Sequence, residues 1–275
     1  MTVITSRHHP LVKQFRDAAR GGDLMLLDGW HLLTEAVNAG IDVETLAMCG
    51  PPTADEQTLI DRACRAGARA VEVSGSVLDA LSPVSTPTGV VATARKPTPD
   101  PAALLTPAPA LVLAGFGLQD PGNAGAVIRS AAAAGATGVI FDDASADPWG
   151  WKSLRASMGG VFHLPVIRSR NPIGNAADWR AAGIRIVATV PRGGVPMHDL
   201  DLTGPVAFLL GGEGPGLPAE VIAAADARIS IPMAGAVESL NVAVAAALIL
   251  YEARRQRSGG SSTVGAVGTV RHPNL

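Results

Sequence analysis

Short apolar runs alternate with amphipathic stretches along almost the whole chain. Leu24–Leu27, Val43–Met48, Ala70–Val73 and Gly89–Thr93 read as strands. Between them, apolar positions recur at helical spacing over Gly29–Ala39, Asp55–Ala66 and Ser76–Leu81, and Gly40 and Gly67 supply stops. Leu11, Val12 and Phe15 follow Pro10 at the same spacing, which predicts a short N-terminal helix. The pattern resumes with Ala110–Phe116, Val139–Phe141, His163–Ile167, Ile184–Thr189, Val206–Leu210 and Ala227–Ile231 as strands. Helices are predicted at Gly122–Ala134, Trp149–Met158, Ala176–Ala182, Pro218–Ala224 and Ser239–Arg257. Strands that are apolar along their full length suit a parallel sheet covered on both faces. The alternation predicts an α/β fold.

Two breaks divide this pattern. Lys96–Ala110 is rich in proline and alanine and reads as a semi-rigid linker. The stretch after Arg257 is rich in glycine and serine and reads as a disordered tail. The expected organisation is an N-terminal α/β domain over 1–95, a linker over 96–110, a second domain over 111–257 and a tail over 258–275.

Composition sharpens this picture only at a few points. The 275 residues are 47% hydrophobic and 17% charged, enough to bury a sizeable core. A net charge of −2 argues against a general polycation, but the first twenty residues carry Arg7, Lys13, Arg16 and Arg20 against one acid, Asp17. Cys49 and Cys64 lack the spacing of a zinc knuckle or a disulfide framework. His163 and His198 have no partner spacing that suggests a metal. No signal-peptide pattern opens the chain, and no apolar run reaches about 18 residues uninterrupted. The expectation is a cytoplasmic protein with no membrane segment and no metal.

Three glycine-rich or small-polar stretches each follow a strand. Gly115–Arg129 reads GFGLQDPGNAGAVIR, with Asn123 as candidate N-cap of the helix that carries Arg129. Leu209–Leu217 reads LLGGEGPGL, a backbone-exposing loop around Glu213. Ile231–Glu252 begins IPMAGAVESLN, with Ser239 and Asn241 ahead of an apolar helix. Each alone is an ordinary turn or cap. Together they are expected to line one edge of a parallel sheet, where ligands favour the carboxyl ends of strands. The dinucleotide fingerprint fails, because Asp120 stands where its third glycine belongs, and no P-loop sequence occurs.

Asp120-Pro-Gly-Asn123-x-Gly125-x-x-x-Arg129, Leu210-Gly-Gly-Glu213-Gly-x-Gly216-Leu and Ile231-Pro-Met…Ser239-Leu-Asn241-Val resemble the three signature motifs of the SpoU/TrmH branch of the SPOUT RNA methyltransferases. Ser157-Met-Gly-Gly-Val-Phe-x-Leu-Pro165 is similar to a further shared segment. Ile4-Thr-Ser…Pro-Leu-Val-Lys13 and Leu81-Ser…Thr86-Pro-x-Gly-Val90 resemble the family's substrate-binding domain. The likeness spans roughly residues 3–257. Departures are Asp28, where glutamate is frequent, and Ala243, where serine is.

The resemblance implies a mostly parallel sheet with a deep trefoil knot, a smaller N-terminal substrate-binding domain, and a homodimer with pockets at the subunit interface. It implies S-adenosyl-L-methionine as cofactor and 2′-O-ribose methylation of structured RNA. Ribosomal RNA is favoured and transfer RNA is the alternative. Thr189, Gly211, Gly212, Glu213, Ile231, Met233, Leu240 and Asn241 are the implied cofactor-binding residues. Arg129, Asn123, Glu213, Ser239 and Asn241 are the implied catalytic set. Arg7, His8, Lys13, Arg129 and Arg155 are candidate RNA contacts. The competing readings are a non-catalytic RNA-binding module of the same fold and a nucleotide-cofactor oxidoreductase.

Overall fold

The computed structural model describes residues 3–174, 176–235 and 237–259. The N-terminal part runs α1 (Pro10–Arg20), β1 (Leu24–Asp28), α2 (Trp30–Asn38), β2 (Val43–Met48), α3 (Ala54–Arg65), β3 (Arg69–Glu72), α4 (Gly75–Leu81) and β4 (Val90–Arg95). Its strands form one sheet in the order β1-β4-β2-β3, with only β2 and β3 parallel. The helices start where local chemistry supplies a cap. Thr53 and Glu56 make a reciprocal capping box on α3. His9 accepts from the Leu11 N–H ahead of Pro10 on α1.

The second part continues with β5 (Leu111–Phe116), α5 (Pro121–Ala134), β6 (Gly138–Phe141), α6 (Trp151–Ser157), β7 (Val166–Arg168), α7 (Ala176–Ala181), β8 (Arg185–Thr189), β9 (Val195–Pro196), β10 (Val206–Gly211), α8 (Ala219–Ala223), β11 (Ala227–Ser230) and α9 (Val242–Gly259). All its strand pairings are parallel, in the order β7-β6-β5-β10-β8-β11-β9. Every residue of β5 is buried, as its uninterrupted apolar run requires. β10 lies between β5 and β8, two strands that precede it in the chain. Because β5, β8, β10 and β11 run the same way, the loops after all four emerge at one edge.

The proline-rich stretch before β5 is not a free spacer. Pro101–Leu105 forms a 3-10 turn, and Leu104 is buried. The Thr137 hydroxyl donates to the Leu104 carbonyl at 2.5 Å, and Leu104 fills the space that a side chain at Gly138 would need. At the other end, Arg257 of α9 donates to four carbonyls, those of Leu202, Pro109, Ala110 and Gly204. Arg254 donates to the Ala133 carbonyl in the last turn of α5. Hydrogen bonds from a charged donor are stronger than neutral ones, so α9 is anchored at its far end by its arginines.

The two sheets pack through α6, which lies against β1. Asp28, at the end of β1, accepts from the Ser82 hydroxyl and senses the charge of Arg155 on α6. Burial dominates and holds its carboxyl above the ordinary 3.8, while Ser82 and Arg155 pull the other way. A carboxyl that binds its proton more tightly when folded makes the folded state lose stability as pH rises through that pKa. Asp28→Asn keeps an acceptor for Ser82 and removes this penalty. The variant should therefore gain on the parent in thermal melts at neutral and alkaline pH, and the gain should vanish in acid.

Candidate active site

The edge where the four loops emerge holds a cleft of about 500 Å3. Its floor is Thr189 at the end of β8 and Leu210–Gly212 at the end of β10. Its walls are Val190–Pro191, Glu213–Leu217, Ile222, Ile231, Met233, Ser239–Val242 and, from α9, Ala245 and Ile249. The eight residues expected to hold the cofactor all line it. Ligand clefts of this kind span roughly 300–1,000 Å3 and are mostly apolar with a few fixed polar groups. Here the fixed polar groups are largely backbone, exposed by glycine.

The glycines are required by close approach. A Cβ on Gly211 would lie 2.2 Å from the Gly216 carbonyl carbon, and one on Gly212 would lie 2.0 Å from the Gly117 carbonyl oxygen. The loop after β10 thus folds back on itself, with Gly212 bridged to Gly216, and rests on the loop after β5. No larger residue fits at either place without moving backbone.

A chain of side-chain amides and a carboxylate joins three of the four loops. The Asn241 amide nitrogen donates to the Asn123 amide oxygen at 3.0 Å. The Asn123 amide nitrogen donates in turn to Glu213. Asn241 also caps α9, because its side-chain oxygen accepts from Ala243 N–H at 2.9 Å and Val244 N–H at 3.3 Å. Asn123 is not the cap of α5 that its residue type suggests. Asp120 is: it accepts from the Asn123 N–H at 2.8 Å, with Pro121 in the first turn. That releases the Asn123 side chain to bridge the other two loops. The terminal helix begins at Val242 rather than at Ser239, so Ser239 stands in the rim loop, exposed beside the cleft.

Glu213 is the only ionisable side chain among the described residues that line the cleft. One carboxylate in an otherwise uncharged cleft suits a ligand with a positive centre and an apolar ring. A sulfonium nucleoside has both, so the residues fit S-adenosylmethionine.

Arg129 does not line the cleft. It lies six residues beyond Asn123, about 9 Å along α5, and is exposed. Its backbone is packed by Gly160, where a Cβ would lie 3.2 Å from the Arg129 Cα. Arg155 is exposed at the end of α6, with Asp28 within reach of its charge. The other candidate RNA contacts stand apart, in the N-terminal part. Arg7 donates to the Ser76 carbonyl, His8 is exposed, and Lys13 borders a shallow groove with His9, Asp17 and Arg69. Val190, Pro191, Leu217, Ile222 and Ile249 line the cleft but carry no polar signal; their place at strand ends and on the α9 face was the available clue.

Among the described residues, no cluster of three or more histidine, cysteine, aspartate or glutamate side chains gathers that could hold a metal ion. Nor is any described helix long and apolar enough to cross a membrane.

Residues 110–251 match the SpoU rRNA methylase family, and residues 13–92 match an MRM3-like substrate-binding domain. The chain belongs to the SpoU rRNA methylase family. One SpoU relative, the 23S rRNA (guanosine(2553)-2′-O)-methyltransferase RlmP of Bacillus subtilis, is 33% identical over 83% of this chain and 88% of its own length. Two solved structures are similar over most of the chain. The SpoU methyltransferase AviRb from Streptomyces viridochromogenes, in complex with the cofactor AdoMet, matches with a TM-score of 0.82 at 32% identity, over 92% of this chain and all of that one. An AdoMet-bound rRNA methyltransferase from Sinorhizobium meliloti matches with the same TM-score at 30% identity, over 92% of this chain and 97% of that one. The three loops tied by Glu213, Asn123 and Asn241 all lie within the matched residues 110–251.

Proposed function

We propose that this protein transfers a methyl group from S-adenosylmethionine to a ribose 2′-oxygen of ribosomal RNA, acting as a cytoplasmic homodimer. The observation that carries the proposal is the hydrogen-bonded chain Glu213–Asn123–Asn241 at the rim of a cleft with one carboxylate. The substrate follows two relatives, whose names specify 2′-O-methylation of 23S rRNA.

The cofactor supplies an electrophilic methyl already activated by the sulfonium. The protein must position a ribose against it and stabilise the charge that develops on the 2′-oxygen. The backbone of Thr189, Gly211, Gly212, Ile231 and Leu240, with the Met233 side chain, holds the cofactor. Glu213, Asn123 and Asn241 lock the loops around it, and Ser239 presents a hydroxyl at the rim. Arg129 clamps a phosphate next to the target ribose and stabilises the developing alkoxide. Its guanidinium stays protonated, so it acts as a cation and a donor rather than as a base.

Residues 1–95 select the RNA through Arg7, His8 and Lys13, and Arg155 contacts it nearer the cleft. Residues 111–257 carry out the transfer. The deep knot implied by the family resemblance belongs to this reading, supported by the late insertion of β10 between β5 and β8 and by the return of α9 onto α5. The dimer is supported by an exposed apolar stripe. Leu240, Val244, Leu248 and Tyr251 are 37%, 48%, 41% and 50% exposed and recur at helical spacing on the face that begins at the cleft. A second copy covering that stripe sets each cleft at the subunit interface.

The test is mass spectrometry of ribonucleosides from purified ribosomal and transfer RNA, in cells with and without the protein. One 2′-O-methylated nucleoside should disappear from ribosomal RNA alone. Loss from transfer RNA instead, or no loss, refutes the assignment.

A further inference from the structure

α2 belongs to the N-terminal sheet, yet one of its faces is occupied by the segment that follows α6. His31 and Glu35 are four residues apart and so share that face. His31 Nε2 lies 3.1 Å from the Met158 carbonyl oxygen. Glu35 Oε2 lies 2.7 Å from His163 Nε2. Between these two contacts the stem of Glu35 lies on Gly159, where a Cβ would come within 2.5 Å of the Glu35 Cγ.

The segment so gripped has an unusual backbone. Met158 has φ 50°, and it is the only non-glycine residue with positive φ among those described. Gly159 follows with φ 80°. Two successive left-handed residues turn the chain sharply after α6, and a methionine there is held against its own preference. The next residue, Gly160, is seated on α5 at Arg129, where a Cβ would make a tight contact of 3.2 Å with the Arg129 Cα. α6 is fitted to α5 more closely still, since a Cβ on Gly125 would lie 2.4 Å from the Ser153 carbonyl oxygen. The turn is thus wedged between the N-terminal domain on one side and the backbone of Arg129 on the other.

We infer that Glu35, with His31, is a positioning residue for Arg129: the two side chains lock the Met158–Gly160 turn in its strained form and so fix the frame around the arginine according to how the N-terminal domain is docked. An RNA held by that domain then meets an arginine in register with it. The inference rests on the function proposed above for its catalytic readout, but the lock itself does not.

Glu35→Ala removes the carboxylate and most of the stem that covers Gly159. Glu35→Gln keeps the stem and an oxygen that accepts from the His163 N–H. Two measurements on the full-length protein decide the matter. In hydrogen exchange, amides of the Ser157–His163 segment and of α5 around Arg129 should exchange faster in Glu35→Ala than in the parent or in Glu35→Gln. In single-turnover methylation with cofactor and RNA both saturating, Glu35→Ala should be slowed by about tenfold or more, as small misplacements near reacting groups commonly do. Its cofactor affinity should be unchanged, and Glu35→Gln should recover to within about twofold of the parent rate. Exchange in Glu35→Ala that matches the parent overturns the lock. Altered exchange with an unaltered rate, or Glu35→Gln as slow as Glu35→Ala, overturns the positioning role. A parent protein that methylates no RNA refutes the proposed function, and the exchange comparison then decides for or against the lock by itself.

Discussion

Arg129→Ala lowers methyl transfer at saturating cofactor and RNA by on the order of a hundredfold to a thousandfold, the scale seen when one preorganised donor is removed from a developing oxyanion. Cofactor affinity, measured by calorimetry, stays close to that of the parent. The separation follows from geometry, because Arg129 is absent from the cleft lining while all eight expected cofactor residues are present in it. Melting temperature also changes little, since the side chain is exposed on a helix that is otherwise well packed. Arg129→Lys keeps the charge but loses the planar fork, so it recovers only part of the rate. Transfer by Arg129→Ala near the parent rate removes the arginine from the chemistry.

Gly211→Ala has the opposite signature. The added methyl would stand 2.2 Å from the Gly216 carbonyl carbon and 2.3 Å from the Leu217 nitrogen, both backbone atoms. Neither can move aside as a flexible side chain would. The loop that carries Glu213 must open, and the Glu213–Asn123–Asn241 chain parts with it. Overpacking of this kind costs about 1–3 kcal/mol, so cofactor affinity falls roughly tenfold to a hundredfold. RNA binding by the N-terminal part is unaffected, because none of the described residues lining the cleft comes from that part. Calorimetry for the cofactor and a filter or anisotropy assay for RNA separate the two effects. Parent-like cofactor affinity in Gly211→Ala contradicts the backbone-lined site.

The central strands of the large sheet were legible because a strand buried on both faces must be apolar throughout, and Leu111–Phe116 and Val206–Leu210 are, whereas the expected edge strand His163–Ile167 begins only at Val166. The glycine-rich stretches were legible as loops for the same reason that they work: only glycine tolerates the approach of Gly216 and Gly117. What local pattern misassigned was the role of two polar residues. Asn123 is a good cap by type, but Pro121 fixes the helix start two residues earlier and hands the cap to Asp120. Ser239 has the same cap chemistry as Asn241, and only Asn241 lies next to the first turn of α9. Val195–Pro196 pairs with β11 as a strand too short for any periodicity to show. Leu104 was hidden in a proline- and alanine-rich composition, although the fold buries it. The contacts of His31 and Glu35 span more than a hundred residues and leave no mark on either segment alone.

The grip of Arg257 on four carbonyls has a consequence for synthesis. The residues it holds, Pro109 and Ala110 on one side and Leu202 and Gly204 on the other, flank the starts of β5 and β10, the two central strands of the large sheet. Those strands leave the ribosome well before the clasp that seals them. An emerging chain therefore carries a nearly finished sheet with its last fastening still inside the exit tunnel. The cleft itself, one wall of which is Val242, Ala245 and Ile249, is complete only after α9 has emerged and packed.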